Sequence, residues 1–315
     1  KCAFRNRVGW RIQPCMNSQT YDLIADIHGH HDKLVNLLAH LGYTPRRAFR
    51  GWTHGEGRKV IFLGDYIDRG PKVREVLHEV RGMVEAGDAL ALMGNHEFYA
   101  ILNEAAAATL PADWRMTWDQ FADREAEWGE WISWMKGLPL SLDLGGLRAV
   151  HACWDEGAIA DLGGVGILPP ETLKACFTRG TRERRAVDRL LCGPVLPVPD
   201  DALVLNPKGM PLTSVRVRWW DLPTEPYLIG DLALPESLAG RGMVDPCHLS
   251  EIPNYPPEAS PVFFGHYWLP PESRRRPLAP NLACLDYSAA KGEAPLVSYR
   301  WDGESVLDAE KFTTH

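Results

Sequence analysis

The chain has 315 residues, of which 45% are hydrophobic and 24% are charged, a composition typical of a globular protein. Its formal net charge of −7 excludes the overall basic field that would hold a nucleic-acid backbone or an anionic membrane surface. No uninterrupted apolar run approaches the roughly 18 residues that a membrane helix needs, so we expect neither nucleic acid nor membrane as a partner.

The cysteines and the N-terminal segment bear on the cellular compartment and the domain organisation. The seven cysteines are widely spaced and form no CxxC pair, which favours a reducing, cytoplasmic setting. Residues 1–15 hold four basic and no acidic side chains but lack the apolar centre of a secretory signal. We expect residues 1–15 to be a non-native or disordered leader, and residues 16–315 to form one domain with a Pro-rich insert at about 155–260.

Three cycles of strand, loop and helix open the chain. Strand-like apolar runs cover residues 21–25, 59–63 and 89–93. Helical spacing of apolar residues follows each run, over residues 31–41, from Pro71 onward and from near Phe98. Alternating strands and helices predict a parallel sheet at the core.

The remaining pattern predicts a second sheet. A tryptophan-rich stretch over residues 114–135 has helical spacing and favours core packing over a ligand box. Runs at 140–144 and 147–150, joined by two glycines, predict a hairpin that delivers His151 at its end. Of the 25 prolines, 17 lie between Pro194 and Pro280, which predicts long connections and short edge strands there. Strands are expected at 262–264, 281–286, 295–301 and 305–308, the last two as a hairpin around residues 302–304, and these close the second sheet.

Polar residues able to bind a cation follow the predicted strands: Asp26, His28, Asp65, Asn95, His151 and His266. Since the carboxyl ends of strands in open α/β sheets converge on one crevice, these side chains can meet there. Carboxylate, imidazole and amide ligands suit Mn, Fe or Zn better than Ca or a thiolate-type zinc site. Each residue alone could be a helix cap, a turn residue or a core histidine, but the repetition of the pattern favours a metal centre.

The ordered set DIHG, GDYIDRGP, GNHE, a His after a hairpin strand, and GH resembles the calcineurin-like metallophosphoesterases, specifically the phosphoprotein phosphatase branch with its bacterial serine/threonine protein phosphatases. The resemblance covers about residues 21–308. It implies a metallo-dependent phosphatase fold, an α/β four-layer α-β-β-α sandwich of two mixed sheets. It also implies two divalent metal ions, with Mn²⁺ preferred and Fe, Zn or Mg as alternatives.

Carried over residue by residue, the resemblance implies that Asp26, His28 and Asp65 hold one metal. Asp65, Asn95, His151 and His266 hold the second, so Asp65 bridges. Two-metal chemistry needs such a shared carboxylate together with a bridging hydroxide, which attacks phosphorus in line.

The remaining catalytic roles concern proton transfer and phosphate binding. We assign His96 as the general acid and Asp68 as the carboxylate that orients it, the alternative being that Asp68 only pairs with Arg69 at the surface. Arg69 should grip the phosphoryl oxygens, with Asn95 also on the substrate side. A second phosphate-binding arginine is expected in VRVRWW, where Arg218 is slightly favoured over Arg216 because both lie on one face of a strand. Four further arginines are expected on a solvated helix face: Arg179, Arg182, Arg184 and Arg185.

Aromatic residues flank the ligand motifs: Trp154, Trp219, Trp220, Tyr267 and Trp268. They could stack a nucleobase or a phosphotyrosine ring, but core or rim packing is the preferred interpretation. The leading hypothesis is a metal-dependent phosphatase that hydrolyses phosphate monoesters, on a phosphoprotein or a small phosphorylated substrate. The alternative is a symmetrical dinucleoside polyphosphate hydrolase, acting for example on diadenosine tetraphosphate. A phosphodiesterase and a non-catalytic binding protein rank below these.

Overall fold

The computed structural model describes residues 19–46, 51–103, 112–164, 166–199, 203–205, 209–222, 228–234 and 242–315. The leader predicted over residues 1–15 lies outside these ranges. Within them, no helix has both the length and the apolar character that crossing a bilayer requires.

Fourteen strands and ten α-helices are present in the described ranges. The strands are β1 (Tyr21–Ile24), β2 (Tyr43–Pro45), β3 (Trp52–His54), β4 (Lys59–Phe62), β5 (Ala89–Ala91), β6 (Ser141–Asp143), β7 (Arg148–Val150), β8 (Val195–Pro197), β9 (Ser214–Val217), β10 (Ala233–Leu234), β11 (Val262–Phe264), β12 (Leu282–Cys284), β13 (Val297–Trp301) and β14 (Phe312–Thr314). The helices are α1 (His31–His40), α2 (Val73–Glu85), α3 (Asn95–Leu102), α4 (Ala112–Phe121), α5 (Glu125–Met135), α6 (Glu156–Asp161), α7 (Pro170–Ala175), α8 (Arg182–Cys192), α9 (Ile229–Leu232) and α10 (Pro246–Leu249).

Two mixed sheets carry the site, which confirms the predicted α/β class. The first sheet has the order β14-β13-β1-β4-β5, in which β1, β4 and β5 are parallel and β13 and β14 are antiparallel to their neighbours. The second has the order β12-β11-β7-β6, with only β6 antiparallel. Neighbouring parallel strands end on the same edge of their sheet, so the loops that follow β1, β4 and β5 lie side by side.

Alternation along the strands divides the core into two faces. Leu23 and Ile61, on the first sheet, pack in one buried cluster with Ala149 and Phe263 of the second. Their sequence neighbours on the opposite face, such as Ile24, pack instead against the leucines of α1. Because side chains alternate across a strand, this pattern sets the two sheets against each other with helices outside.

The Pro-rich region forms a small sheet of its own. Strands β8, β9 and β10 are two to four residues long and pair in the order β10-β9-β8, which fits the predicted short strands. The expectation of a fully solvated arginine face on α8 is wrong at Arg184. That side chain is buried, donates to the Cys176 carbonyl (3.2 Å) and lies over the Phe98 ring.

The predicted C-terminal hairpin is also wrong. Residues 305–308 form no strand, and β13 pairs with β14 and with β1, so it belongs to the first sheet rather than the second. Glu304 accepts hydrogen bonds from the Tyr299 hydroxyl (2.8 Å) and the Asp302 N–H (2.9 Å). These bonds direct the chain into a loop, and the return strand forms only at Phe312.

Three helix boundaries differ from the prediction. Helix α3 begins at Asn95 rather than near Phe98, because Glu97 in its first turn accepts the Gly94 N–H (2.9 Å) and caps the helix. The tryptophan-rich stretch forms α4 and α5, which are separated at residues 122–124, instead of one helix. Helix α2 begins at Val73, two residues after Pro71.

A buried carboxylate, Asp22 on β1, ties the first sheet together. It accepts hydrogen bonds from the Tyr43 hydroxyl (2.9 Å), from Arg58 Nε (3.1 Å) and from Arg300 Nε (3.0 Å). Arg58 is itself only 7% exposed. The three partners come from distant parts of the sequence, so one side chain fixes the positions of three segments.

Asp22→Ala should lower the free energy of unfolding by about 3 kcal/mol, because it leaves the buried Arg58 guanidinium and the half-buried Arg300 guanidinium without this carboxylate. Urea unfolding followed by circular dichroism measures this. Asp32→Ala is the matched control, since the Asp32 carboxylate pairs with Lys72 at the exposed surface and should change little. Equal urea midpoints for the two variants would contradict the conclusion that Asp22 holds the three segments together.

Candidate metal centre

All six predicted metal ligands are buried at the ends of strands or the start of a helix. Asp26 and His28 follow β1, Asp65 follows β4, Asn95 begins α3 after β5, His151 follows β7 and His266 follows β11. None is more than 8% exposed. The chain therefore brings six residues that are far apart in sequence to one edge of the two sheets.

The backbone at this edge is held in an unusual conformation. Four of the six residues have positive φ angles: Asp26 (49°), His28 (43°), Asp65 (57°) and His266 (71°). A non-glycine residue in the left-handed region costs about 1–2 kcal/mol, so four such residues persist only where the surroundings impose them.

Two motif glycines allow the ligands to approach. A Cβ at Gly94 would overlap the Asp65 backbone and carboxylate and come within 2.7 Å of Glu97 Oε2. A Cβ at Gly265 would overlap the Asp26 carboxylate. Both positions therefore require glycine for close packing rather than for turn geometry.

Two groups of potential ligands share Asp65. His28, Asp65 and His96 form the first group and Asp65, His151 and His266 the second, with the ligand atoms of each group within 4.8 Å of one another. Asn95 joins the second group, because its Oδ1 lies 2.9 Å from His266 Nδ1 and 3.0 Å from His151 Nε2.

Asp26 lies beside these groups but in neither of them. Its carboxylate accepts hydrogen bonds from the His266 backbone N–H at 3.0 and 3.2 Å. Burial raises the pKa of Asp26 well above its usual range, and the charges of Asp286 and Asp65 raise it further. A cation beside this carboxylate would offset that repulsion.

The histidine tautomers fit a metal. His28 Nδ1 donates to the Ile67 carbonyl (2.8 Å) and His151 Nδ1 donates to the Leu63 carbonyl (2.7 Å). In a neutral imidazole this leaves the Nε2 lone pair pointing at Asp65, at 3.3 Å for His28 and 3.5 Å for His151. A lone pair facing a carboxylate is unfavourable unless a cation lies between them, and carbonyl-bonded imidazoles are typical of metal ligands.

The pKa shifts of the ligand residues also fit a metal site. Burial lowers the pKa of His28 and of His266 well below the usual range, so both are neutral, the form that binds metals. Burial opposes ionisation of Asp65, but positive charge on the imidazoles around it, His151 foremost, lowers its pKa below the usual range. Where those imidazoles are neutral, a bound cation would supply this stabilisation instead.

His96 has a different environment. Its Nδ1 lies 2.6 Å from Asp68 Oδ2, and its Nε2 faces the Asp65 carboxylate at 3.9 Å and Arg69 Nη2 at 3.4 Å. Although burial lowers it, the pKa of His96 is raised overall, because Asp65 and Asp68 both favour the charged ring. The protonated form can donate, which a metal ligand cannot do.

The ligand groups open into a pocket of about 390 Å³ whose lining includes Asp65, Arg69, Asn95, His96, Arg216, His266 and Trp268. Arg69 lies against the Trp268 ring, 3.9 Å from its centroid, and Lys291 Nζ lies 4.1 Å from the same centroid. Arg216 donates to the His266 carbonyl (3.2 Å). A larger cavity of about 850 Å³, lined by residues such as Arg74 and Trp131, contains none of the predicted site residues.

The structure separates the two candidate arginines of VRVRWW. Arg216 is in the pocket, whereas Arg218 donates to the Asp231 carbonyl and lies 3.9 Å from the Asp221 carboxylate. The slight preference for Arg218 thus finds no support in the geometry, because Arg218 follows the end of β9 and its side chain bonds to the loop and helix of the insert.

The flanking aromatics are mostly core residues, as expected. Trp154, Trp219 and Tyr267 are buried, and Trp219 Nε1 donates to the Ala152 carbonyl (3.1 Å). Trp268 is the exception, since it lines the pocket.

Two acidic residues that received no role in the sequence analysis shape the site. Glu97 is fully buried and accepts N–H bonds from Gly94 (2.9 Å), Asp65 (2.8 Å), Tyr66 (2.8 Å) and Ile67 (3.3 Å). Asp286 accepts the Trp268 N–H (2.7 Å) and follows β12, the same strand-end signal that identified the ligands.

The sequence comparisons agree with this geometry. Residues 20–165 match the family model described as calcineurin-like phosphoesterase. Over 76 residues, 24% of this chain, the sequence is 45% identical to an asymmetrical bis(5'-nucleosyl)-tetraphosphatase of Bacillus subtilis, of which it covers 30%. Over 80 residues, 25% of this chain, it is 35% identical to a symmetrical bis(5'-nucleosyl)-tetraphosphatase of Klebsiella pneumoniae, of which it covers 24%. The chain thus matches less than a third of the length of these relatives.

Among solved structures, a protein serine/threonine phosphatase from Saccharomyces cerevisiae aligns with a TM-score of 0.48 and 13% identity, covering 94% of this chain and 79% of that one.

Glu97→Gln should weaken Mn²⁺ binding at least tenfold and lower the free energy of unfolding by about 1–3 kcal/mol, because an amide NH₂ would face backbone N–H donors that now share a carboxylate. Isothermal titration calorimetry and urea unfolding measure the two effects. Glu85→Gln, at the exposed end of α2, is the control. Unchanged Mn²⁺ affinity in Glu97→Gln would show that the Glu97 contacts do not hold the Asp65 loop in place.

Proposed function

We propose that this chain, which carries a calcineurin-like phosphoesterase domain over residues 20–165, is a metal-dependent hydrolase of phosphate monoesters. The observation that supports this most strongly is that the Asp65 carboxylate belongs to both groups of potential metal ligands. The pocket that contains Asp65 is also lined by Arg69 and His96. Phosphoryl transfer requires metal ligands, a proton donor and a positively charged phosphate-binding group around one pocket, and the chain offers candidates for all three here.

The donor set fits two divalent cations, with Mn²⁺ as the preferred metal and Fe, Zn or Mg as alternatives. Asp26, His28 and Asp65 would hold one, and Asp65, Asn95, His151 and His266 the other. When bound, such a pair supplies Lewis acidity and activates a water molecule for in-line attack on phosphorus. His96 belongs to the first group by distance, but its bond to Asp68 and its raised pKa favour a proton-transfer role.

His96 would protonate the leaving oxygen. Asp68 accepts from Nδ1, so the proton available for transfer is the one on Nε2, which faces the Asp65 side of the pocket. The short 2.6 Å contact between Nδ1 and Asp68 orients the ring as well as raising its basicity.

Arg69 and Arg216 would bind the phosphoryl oxygens. Both line the pocket, and a guanidinium group matches the geometry of phosphate and neutralises its charge. The Trp268 ring supports the Arg69 guanidinium from one side, which restricts its rotation before substrate binds.

A second candidate is hydrolysis of a dinucleoside polyphosphate. It is favoured by the names of the relatives, which are asymmetrical and symmetrical bis(5'-nucleosyl)-tetraphosphatases, and by Trp268, an aromatic ring at the pocket that could stack a base. The position of cleavage differs between those relatives, so this candidate is no longer restricted to symmetrical hydrolysis. A binding-only role ranks lower, because no predicted ligand or acid position is lost from the sequence.

The proposed partner is a phosphorylated molecule, either a phosphoprotein or a small ester, and not a nucleic acid. A cytoplasmic setting stays part of the proposal. It is supported by the five cysteines of the described ranges, all of which are free thiols.

Purified protein supplied with Mn²⁺ should release p-nitrophenolate from p-nitrophenyl phosphate, and Asp65→Asn should abolish this turnover because the shared ligand is lost. Absorbance at alkaline pH measures the product. Asp88→Asn is the control, since Asp88 pairs with Arg46 away from the pocket. No turnover of any aryl phosphate or phosphopeptide by the wild type would refute the monoesterase proposal. A kcat/KM higher for diadenosine tetraphosphate than for phosphopeptide would favour the second candidate.

Arg216→Ala and Arg218→Ala form a matched pair, two residues apart on the same segment. Arg216→Ala should lower kcat/KM for p-nitrophenyl phosphate by about 10- to 100-fold, the effect of losing one charged contact of about 1.5–3 kcal/mol. Arg218→Ala should change it less than about threefold. Steady-state kinetics measures both effects. A larger loss of kcat/KM in Arg218→Ala than in Arg216→Ala would show that Arg218 is the phosphate-binding residue.

A further inference from the structure

The loop that carries Asp68 and Arg69 is strained. Both residues have positive φ angles, 69° and 66°, next to each other in the chain. Two adjacent non-glycine residues in the left-handed region cost about 1–2 kcal/mol each, so contacts outside the loop must hold them.

Helix α4 supplies those contacts from one face. Thr117 Oγ1 accepts the Asp68 N–H (2.8 Å), and Gln120 Oε1 accepts the Val73 N–H (2.8 Å) while its Nε2 donates to the Gly70 carbonyl (3.3 Å). Thr117 and Gln120 are three residues apart, which puts them on the same side of the helix.

Thr117 also contacts the Asp68 side chain. Its hydroxyl donates to Asp68 Oδ1 (2.6 Å), while the other carboxylate oxygen, Oδ2, lies 2.6 Å from His96 Nδ1. Thr117 is 3% exposed, so water does not compete for these bonds. The hydroxyl therefore holds both the backbone and the carboxylate of Asp68, and leaves a single oxygen for His96.

We propose that Thr117 is a positioning residue of the proposed reaction, acting on His96 through Asp68. The inference rests on the proposed function, because it assumes that His96 donates a proton to the leaving oxygen. Thr117 lies in the tryptophan-rich stretch but outside the ligand motifs of the sequence analysis, and its role follows from the contact of α4 with the loop. Without the hydroxyl, the Asp68 N–H and Oδ1 lose their partner, and the carboxylate is free to rotate away from His96.

Proton donation matters for poor leaving groups and little for good ones, which gives a test specific to this role. Turnover of phenyl phosphate and of 2,4-dinitrophenyl phosphate with Mn²⁺ is compared in wild type, Thr117→Val and Thr117→Ser. We expect Thr117→Val to lose on the order of 10- to 100-fold in kcat/KM on phenyl phosphate, a share of what a general acid contributes, but less than about threefold on the dinitrophenyl ester. Thr117→Ser, which keeps the hydroxyl, should restore both rates.

Asp119→Ala, on an exposed part of the same helix, is the control and should leave both rates unchanged. Equal losses on the two esters would overturn the proposal, since a purely structural effect does not depend on the leaving group. Undiminished phenyl phosphate turnover in Thr117→Val would overturn it too. If Thr117→Val does not fold, Thr117→Ala against Thr117→Ser provides the same comparison. If the wild type turns over neither ester, the proposed function itself is refuted. A loss of activity in the Thr117→Val variant, on one ester or on both, bears only on the role of Thr117.

Discussion

The Asp65 carboxylate is the charge around which the pocket is arranged. Imidazole nitrogens approach it from two sides, with His28 Nε2 at 3.3 Å and His151 Nε2 at 3.5 Å, and the His96 backbone N–H donates to it at 3.0 Å. An ionised carboxylate in a buried position is costly unless donors or positive charge offset it. The His96 N–H offsets part of this cost, and bound cations would offset the rest. The positions of the histidines, the glycine at residue 94 and the Glu97 clamp all follow from keeping that carboxylate in place.

The same constraint connects the fold to the proposed chemistry. Parallel strands bring the loops after β1 and β4 together, and Glu97 at the start of α3 binds four backbone N–H groups, three of them in the Asp65 loop. The strain in those loops is therefore balanced by hydrogen bonds from neighbouring elements rather than by local sequence. A pocket assembled in this way holds ligands, acid and phosphate-binding groups in fixed positions before substrate arrives, which is how preorganised sites lower a barrier.

Strand-end positions could be predicted from the sequence because a short apolar run followed by a polar residue fixes both the strand and the edge at which it ends. His96 and Asp68 are assigned differently, His96 because it adjoins the ligand Asn95 and Asp68 because it lies in the motif GDYIDRGP. Prediction from the apolar pattern failed where single polar side chains decide, which that pattern does not show. The start of α3 depends on the bond from the Gly94 N–H to Glu97, and residues 305–308 form a loop because Glu304 bonds back to Tyr299. Arg216 and Arg218 have the same alternation in sequence, so only tertiary contacts separate them. Thr117 carries no sequence signal at all, since a threonine inside a helical pattern is ordinary.

The most direct test of the shared carboxylate is the number of metal ions bound per chain, measured by elemental analysis after dialysis against Mn²⁺. The account predicts about two ions for the wild type, one for His28→Ala, which removes a ligand from only one group, and none for Asp65→Asn, which removes a ligand from both. Two ions retained by Asp65→Asn, or a single ion in the wild type, would contradict it.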